Sequence, residues 1–253
     1  RLPYGSCGSG RSGRKQKGRA MNYLSEEMLW WEYLETRPGA DEGRRLPCYR
    51  CRHHGKGGST VNRLLSWPGN KSRQISQILQ ASGYPRPRIV VEPFFGTGAF
   101  TWEVGWGNAS RCWAAEADPH LYWWWYWMIE DAEMMVEIMA AKREEFRDAA
   151  CDRAVFEALR SDYNVRFAVA QREPETAAQL WVLVYQSTNN LARFNANGWY
   201  NQTWGQGRRV PDPRRVFGQE ELAALRWFGT ALRDGLQGDF REAIDSFLAY
   251  GDK

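Results

Sequence analysis

Apolar residues recur at helical spacing over most of this chain, broken by two short apolar runs of the kind that make buried strands. The first periodic stretch, Asn22–Thr36, places Leu24, Met28, Leu29, Trp31 and Leu34 for a helix face, with Ser25, Glu26 and Glu27 at its start. Pro38–Ser59 is rich in Gly, Arg and Pro and reads as loop. Lys71–Ala81 predicts a short amphipathic helix, and Tyr84-Pro-Arg-Pro87 a turn. Arg88-Ile-Val-Val91 reads as a buried parallel strand, followed by a glycine loop and a helix to about Val104. A second strand is predicted over Ser110–Glu116. Long helical patterns then fill Pro119–Arg147, Asp152–Ala168 and Pro174 to about Ser187. Residues 189–216 change to Asn, Gly, aromatics and Arg with little period, before Glu220–Leu236 and Asp239–Ala249 return to helix. Strand, loop, helix and strand, then more helices, predict an α/β fold with ligands at the carboxyl ends of its strands.

One stretch defies simple amphipathicity. Tyr122–Trp127 is an unbroken aromatic run, and on a helix such a run cannot face one way. Part of it must enter the core, and the rest must meet a neighbouring element or a partner chain. With charges flanking it, the run is also too short to cross a bilayer, and no other apolar run is long enough.

Composition adds little to this picture, but its distribution matters. The net charge of +4 is modest, whereas residues 1–20 hold six Lys/Arg, five Gly and no acid. That segment reads as a basic arm: one that touches phosphates, a solvated tail, or a stretch upstream of a true start at Met21. Five cysteines at irregular spacing, with no secretory signal, favour a reducing compartment over a disulfide scaffold. Cys48-Tyr-Arg-Cys51-Arg-His53-His54 supplies half of a zinc ligand set, but no second pair accompanies it, and an exposed loop is the preferred reading. No metal site is assigned.

The most informative decapeptide is Val91-Glu92-Pro-Phe94-Phe95-Gly96-Thr-Gly98-Ala-Phe100. A strand running into Phe-x-Gly-x-Gly is a turn that lets the backbone approach a ligand closely, since glycine has no Cβ and accepts positive φ. Asp118 follows Gly96 by 22 residues, just past the second strand. An acid at that interval in a βαβ unit accepts hydrogen bonds from ribose hydroxyls; the same Asp, before Pro119, also suits a helix cap. The loop lacks a full dinucleotide fingerprint and matches the pattern of S-adenosylmethionine sites more closely. Upstream, Ser66-Trp67-Pro-Gly-Asn70-Lys71 offers a Lys that can pair with a ligand carboxylate, beside Trp67, or remain solvated.

Taken in order, these elements resemble the Dam-type, adenine-specific DNA methyltransferases, which carry Trp-Ala/Ser-Gly-Gly-Lys, then Glu-Pro-Phe-x-Gly-x-Gly, then Ala-Asp-x-Asn. The counterparts are Trp67-Pro-Gly69-Asn70-Lys71, Glu92 to Gly98, and Ala117-Asp118-Pro119-His120, with Asn70 and Pro119-His120 as departures. Further on, the stretch from Asn189 through Arg193-Phe194-Asn195, Gly198, Tyr200-Asn201, Trp204-Gly205 and Arg208-Arg209 is similar to the family's Asn-Gly-x-x-Arg-Tyr-Asn-x-x-Gly-x-Phe-Asn-x-Pro-Phe-Gly segment. The resemblance runs over about residues 64–250. It implies a Rossmann-like methyltransferase sheet with a mostly helical recognition insertion carrying a β-hairpin. It implies a cofactor site from Trp67, Lys71, Glu92, Phe94, Phe95, Gly96, Gly98, Asp118, Asp239 and Phe240, although Asp239 serves equally as a helix cap. It also implies a double-stranded DNA contact by Asn189, Arg193, Asn195, Tyr200, Asn201, Trp204, Arg208 and Arg209. Residues 1–60 form an appendage, 61–130 and 237–253 the cofactor-binding core, and 131–236 the recognition domain. The residues agree on their own terms: Arg meets phosphates, Arg and Asn read base edges, and aromatics fill gaps in a stack. A solvated Arg-rich loop is the competing account, and single-stranded RNA a weaker alternative substrate.

One element is missing. The Asp-Pro-Pro-Tyr type of tetrapeptide, which turns the adenine amine into a nucleophile and stacks on the flipped base, occurs nowhere in the 253 residues. Arg1-Leu-Pro-Tyr4 shares only its Pro-Tyr half, as a permuted order would place it, and lacks the acid. The expectation is S-adenosylmethionine-dependent methylation of adenine by a split, truncated or catalytically deficient member, with a partner chain completing the sheet. The alternative is a non-catalytic DNA-binding or assembly subunit. A bacterial or phage-like cytoplasmic protein, nucleoid-associated and of restriction-modification type, fits either.

Overall fold

The computed structural model describes residues 64–69, 74–82, 87–105, 109–170, 172–232 and 234–251. The helix expected over Asn22–Thr36, the Cys48–His54 cluster and Lys71 lie outside the described residues. Helix α1 spans Ile75–Ser82, β1 Ile89–Glu92, α2 Ala99–Gly105 and β2 Arg111–Ala114. The strands are parallel, with Val90 opposite Cys112 and Glu92 opposite Ala114. Helix α3, Pro119–Glu130, leads directly into α4, Ala132–Glu145. Then come α5, Arg153–Ala168, and α6, Pro174–Gln186. Short α7, Pro213–Val216, precedes α8, Gln219–Ala231, and α9, Phe240–Gly251. The described residues are mostly helical and include a two-stranded parallel sheet.

Three expectations are corrected. The pattern over Pro119–Arg147 splits at Asp131, whose φ of −153° is not helical. That residue closes α3 through its N–H to the Trp127 carbonyl and opens α4 by accepting from Met134 N. The Glu220–Leu236 pattern leaves the helix at Ala231, because Leu232 and Gln237 pair with Cys112 and Ala115 of the β2 strand line. Ala115 spans back to β1, donating to Glu92 O and accepting from Phe95 N, while Ala114 O and Glu116 N meet Gln237. The β2 line therefore lies between β1 and the 232–237 segment. Finally, among the described residues the expected hairpin forms no ladder but single antiparallel bridges, Phe194–Tyr200 and Ser187–Trp204.

Helix α6 is the centre of the helical part. It is buried almost all round, from Thr176 to Val184, and packs on α3, α4 and α5. The aromatic run divides as a helix must. Trp124 and Trp125 are fully buried, while Tyr122, Trp123, Tyr126 and Trp127 are partly exposed. On β2 the side chains alternate: Trp113 faces α9, where its indole donates to Ser246 Oγ and packs on Phe247, while Cys112 and Ala114 join the main core. Among the described residues no helix is long and apolar enough to cross a membrane.

Candidate functional site

The loop after β1 is built mainly by neighbours gripping its backbone. Phe95 N–H donates to Ala115 O, and the buried Phe95 ring stacks on Phe228 at 5.1 Å and meets Trp125 edge-on at 5.0 Å. Gly96 N–H donates to Glu116 Oε2 at 2.7 Å, and the Trp125 indole donates to Gly96 O at 2.7 Å. The two glycines then differ. Gly98, at φ +64°, is pressed to 2.5 Å from the Phe95 ring where a Cβ would stand. Gly96, at φ +52°, faces open space in that direction. The first glycine is required for packing, and the second leaves room for a ligand.

Acids surround this loop. Glu92, at the end of β1, accepts from Thr101 N–H at 3.0 Å and Thr101 Oγ1 at 2.5 Å, which fixes the start of α2. Burial pushes its carboxyl up to about 7 despite those bonds. Glu116 uses both oxygens, Oε2 on Gly96 and Oε1 on Asp118 N–H, so it joins the glycine loop to the acidic turn. Burial raises the Glu116 and Asp118 carboxyls as well. Asp118 Oδ1 caps α3 through His120 N–H and Leu121 N–H. Capping leaves capacity on the carboxylate, which offers about four lone-pair sites in all.

His120 extends this edge to the 189–209 segment. Its buried ring lies between Phe167, at 3.7 Å, and Phe194, at 3.9 Å. Nε2 is 2.9 Å from Gly198 O, and Nδ1 is 2.7 Å from the Tyr163 hydroxyl. A carbonyl only accepts, so Nε2 carries the proton and Nδ1 accepts from Tyr163. Burial lowers the imidazole to about 4, keeping that neutral tautomer. Trp67 meets the other end of the stack, 5.9 Å from Phe194.

The remaining cofactor candidates form a second group. Phe94 is 77% exposed and packs against the Phe240 ring at 5.2 Å. Asp239 caps α9 through Arg241 N–H and pairs with the Arg241 guanidinium, which holds its carboxyl below the usual range.

The DNA candidates separate by burial. Tyr200 is 1% exposed, its hydroxyl 2.7 Å from Ser187 Oγ, and Asn164 brackets its backbone from α5 by accepting from its N–H and donating to its carbonyl. The Trp204 indole donates to Ala149 O, and Arg208 donates to the side chain of Asn190. These three anchor the segment. Asn201 is partly buried, its N–H on Arg193 O. Asn189 takes a left-handed turn at φ 62°. Arg193, Asn195 and Arg209 are exposed, joined by Trp199 at 53%. Asn195 also shapes the hairpin tip, its Oδ1 accepting from Asn197 and Trp199 N–H.

Sequence reasoning missed Glu116, Trp125 and the role of His120. Glu116 had one available signal: an acid at a strand end, two residues before the expected ribose acceptor. His120 appeared only as a departure from a motif, and Trp125 was one aromatic among six.

Compared with known proteins, residues 67–248 match the model of the D12 class N6 adenine-specific DNA methyltransferase family. No curated protein matches the chain.

Proposed function

The chain belongs to the D12 class of N6 adenine-specific DNA methyltransferases, and from that membership we propose that it binds S-adenosylmethionine at the glycine loop and double-stranded DNA along the exposed side of the 189–209 segment. The reaction served is methyl transfer to the exocyclic amine of adenine.

The open space at Gly96 carries the cofactor half of this reading, because it is the room a ligand needs beside a backbone that its neighbours already hold still. Asp118 would accept ribose hydroxyl hydrogens with the capacity that its helix cap leaves free. Phe94 and Phe240 would cover the adenine, with Asp239 at their side. Trp67 and Lys71 complete the set that the resemblance implies. S-adenosylmethionine, when bound, supplies an electrophilic methyl on its sulfonium sulfur. Glu92 acts one step back in this reading, by fixing the start of α2 through Thr101. Phe95 likewise serves by packing. On the DNA side, Arg193 and Arg209 would meet phosphates, while Asn195 and Trp199 stand at the tip.

In the same reading, β1, β2 and the 232–237 segment belong to a Rossmann-like sheet, and 61–130 with 237–253 is the cofactor-binding core. The helical region within 131–236 is the recognition domain, and the protein works in the cytoplasm, at the nucleoid. The acid-Pro-Pro-aromatic group for the amine is not among these 253 residues. Methyl transfer therefore requires that group from outside these residues, as a truncated or split member would supply it, and without it the chain acts as a DNA-binding or assembly subunit.

Calorimetric titration of S-adenosylmethionine into the full chain tests this, with Asp118→Ala and Gly96→Val as controls. Micromolar binding that both substitutions abolish is expected. No binding by folded wild-type chain would sink the cofactor half and leave the subunit reading.

A further inference from the structure

We propose that His120 is a positioning residue that couples occupancy of the glycine-loop site to the grip of the recognition hairpin on DNA; the inference rests on the ligand reading above. His120 is bound at both ends. Its backbone N–H donates to Asp118 Oδ1 at 2.9 Å, and its ring donates through Nε2 to Gly198 O, also at 2.9 Å. Two hydrogen bonds through one residue thus join the carboxylate that would receive a ribose to the tip of the hairpin that would meet DNA.

The ring has little freedom to move independently of either end. Phe167 and Phe194 clamp its faces, and the Tyr163 hydroxyl holds Nδ1. Phe194 is itself a hairpin residue, and its ring also meets Trp67, from the first cofactor motif, and Tyr200. In the neutral imidazole that burial favours, Nε2–H donates to Gly198 O and Nδ1 accepts from the Tyr163 hydroxyl. Other ties of the hairpin, among them Asn164 to Tyr200, Tyr200 to Ser187, Arg160 to Gln202 O and Trp204 to Ala149 O, come from the helical body and bypass the Asp118 turn.

A ligand influences a distant contact only through a difference in what it binds. A ribose that engages Asp118 fixes the orientation of its carboxylate, and with it the His120 backbone. The ring then holds Gly198 and Phe194 in one arrangement, so DNA meets a hairpin tip that has already been ordered. By reciprocity, DNA tightens cofactor by the same factor.

The test measures the affinity of the full chain for a fluorescent, mixed-sequence duplex, with and without saturating S-adenosylhomocysteine. In wild type the cofactor product is expected to raise DNA affinity about tenfold. His120→Phe keeps a ring in the stack and removes both ring hydrogen bonds, and the ratio is expected to fall to about one. A purely structural role would lower both affinities and leave their ratio unchanged, which overturns the proposal. Should His120→Phe fail to fold, Tyr163→Phe removes only the bond to Nδ1, and a ratio between wild type and one is expected; a wild-type ratio there overturns it too. If wild type binds both ligands without coupling, the inference fails and the ligand reading stands. If wild type binds neither, both fail together.

Discussion

The glycine loop and the 189–209 hairpin use side chains in opposite ways. At the loop, side chains from other elements grip the backbone: Glu116 takes the Gly96 N–H, Trp125 takes its carbonyl, and Phe95 is wedged between Trp125 and Phe228. At the hairpin, its own side chains divide, with Tyr200, Trp204 and Arg208 turned inward as anchors and Arg193, Asn195, Trp199 and Arg209 left outside. A motif read as a set of ligand contacts is therefore two kinds of set. One keeps a backbone still, and the other sorts its members between support and contact.

The largest expected effect breaks the loop. Gly98→Val imposes a β-branched residue at φ +64° and drives Cβ into the Phe95 ring, so urea unfolding should show a loss of about 3–5 kcal/mol. Gly96→Ala meets no atom and carries only the backbone strain, about 1–2 kcal/mol. Equal losses at the two positions would break the distinction between a glycine required by packing and one that faces open space.

Next comes the hairpin anchor. Tyr200→Phe removes the hydroxyl that meets Ser187 and the Leu191 carbonyl, and thermal melts should show a loss of about 1–3 kcal/mol. At the outer surface, Arg193→Ala or Arg209→Ala should change stability by less than about 0.5 kcal/mol. Each should instead reduce the slope of log affinity against log salt for DNA by about one. A stability loss at Arg193 equal to that at Tyr200 would erase the inside–outside division.

The most diagnostic effect is in pH. Glu92 binds its proton more tightly in the folded chain, since its carboxyl rises from 4.5 to about 7. Its contribution is present below about 4.5 and is lost as pH rises through about 7. Partly buried Glu116 and Asp118 act in the same direction. His120 has the opposite sign: lowered from 6.5 to about 4, it favours the folded chain above 6.5 and loses that advantage as pH falls through about 4. Stability of wild type relative to Glu92→Gln should therefore decline between pH 4.5 and 7 in chemical denaturation. A flat difference would show that Glu92 ionises without cost.

Much of this was legible in the residues, for physical reasons that differ by place. The strand before Glu92 and the turn at Gly96 and Gly98 declare themselves because buried parallel strands and positive φ restrict residue choice severely. The break at Asp131 was hidden, since the apolar period runs through it and only one capping carboxylate marks the change. The departure at Leu232 was hidden for another reason: pairing with Cys112 is a non-local bond, invisible to any local period. The hairpin's composition showed that contacts were available, but not which residues turn inward, because Tyr200 and Trp199 differ only in what the fold places beside them.

Trp125 has a use beyond structure. Its indole lies 5.0 Å from that of Trp124, at 78°, with both rings shielded from solvent, and its N–H rests on Gly96 O. Two chromophores so close and so nearly perpendicular make a chiral absorber whose near-ultraviolet circular dichroism depends on the angle between them. The loop thus carries its own optical gauge, and a ligand that moved Gly96 would register as a change in that band with no label attached.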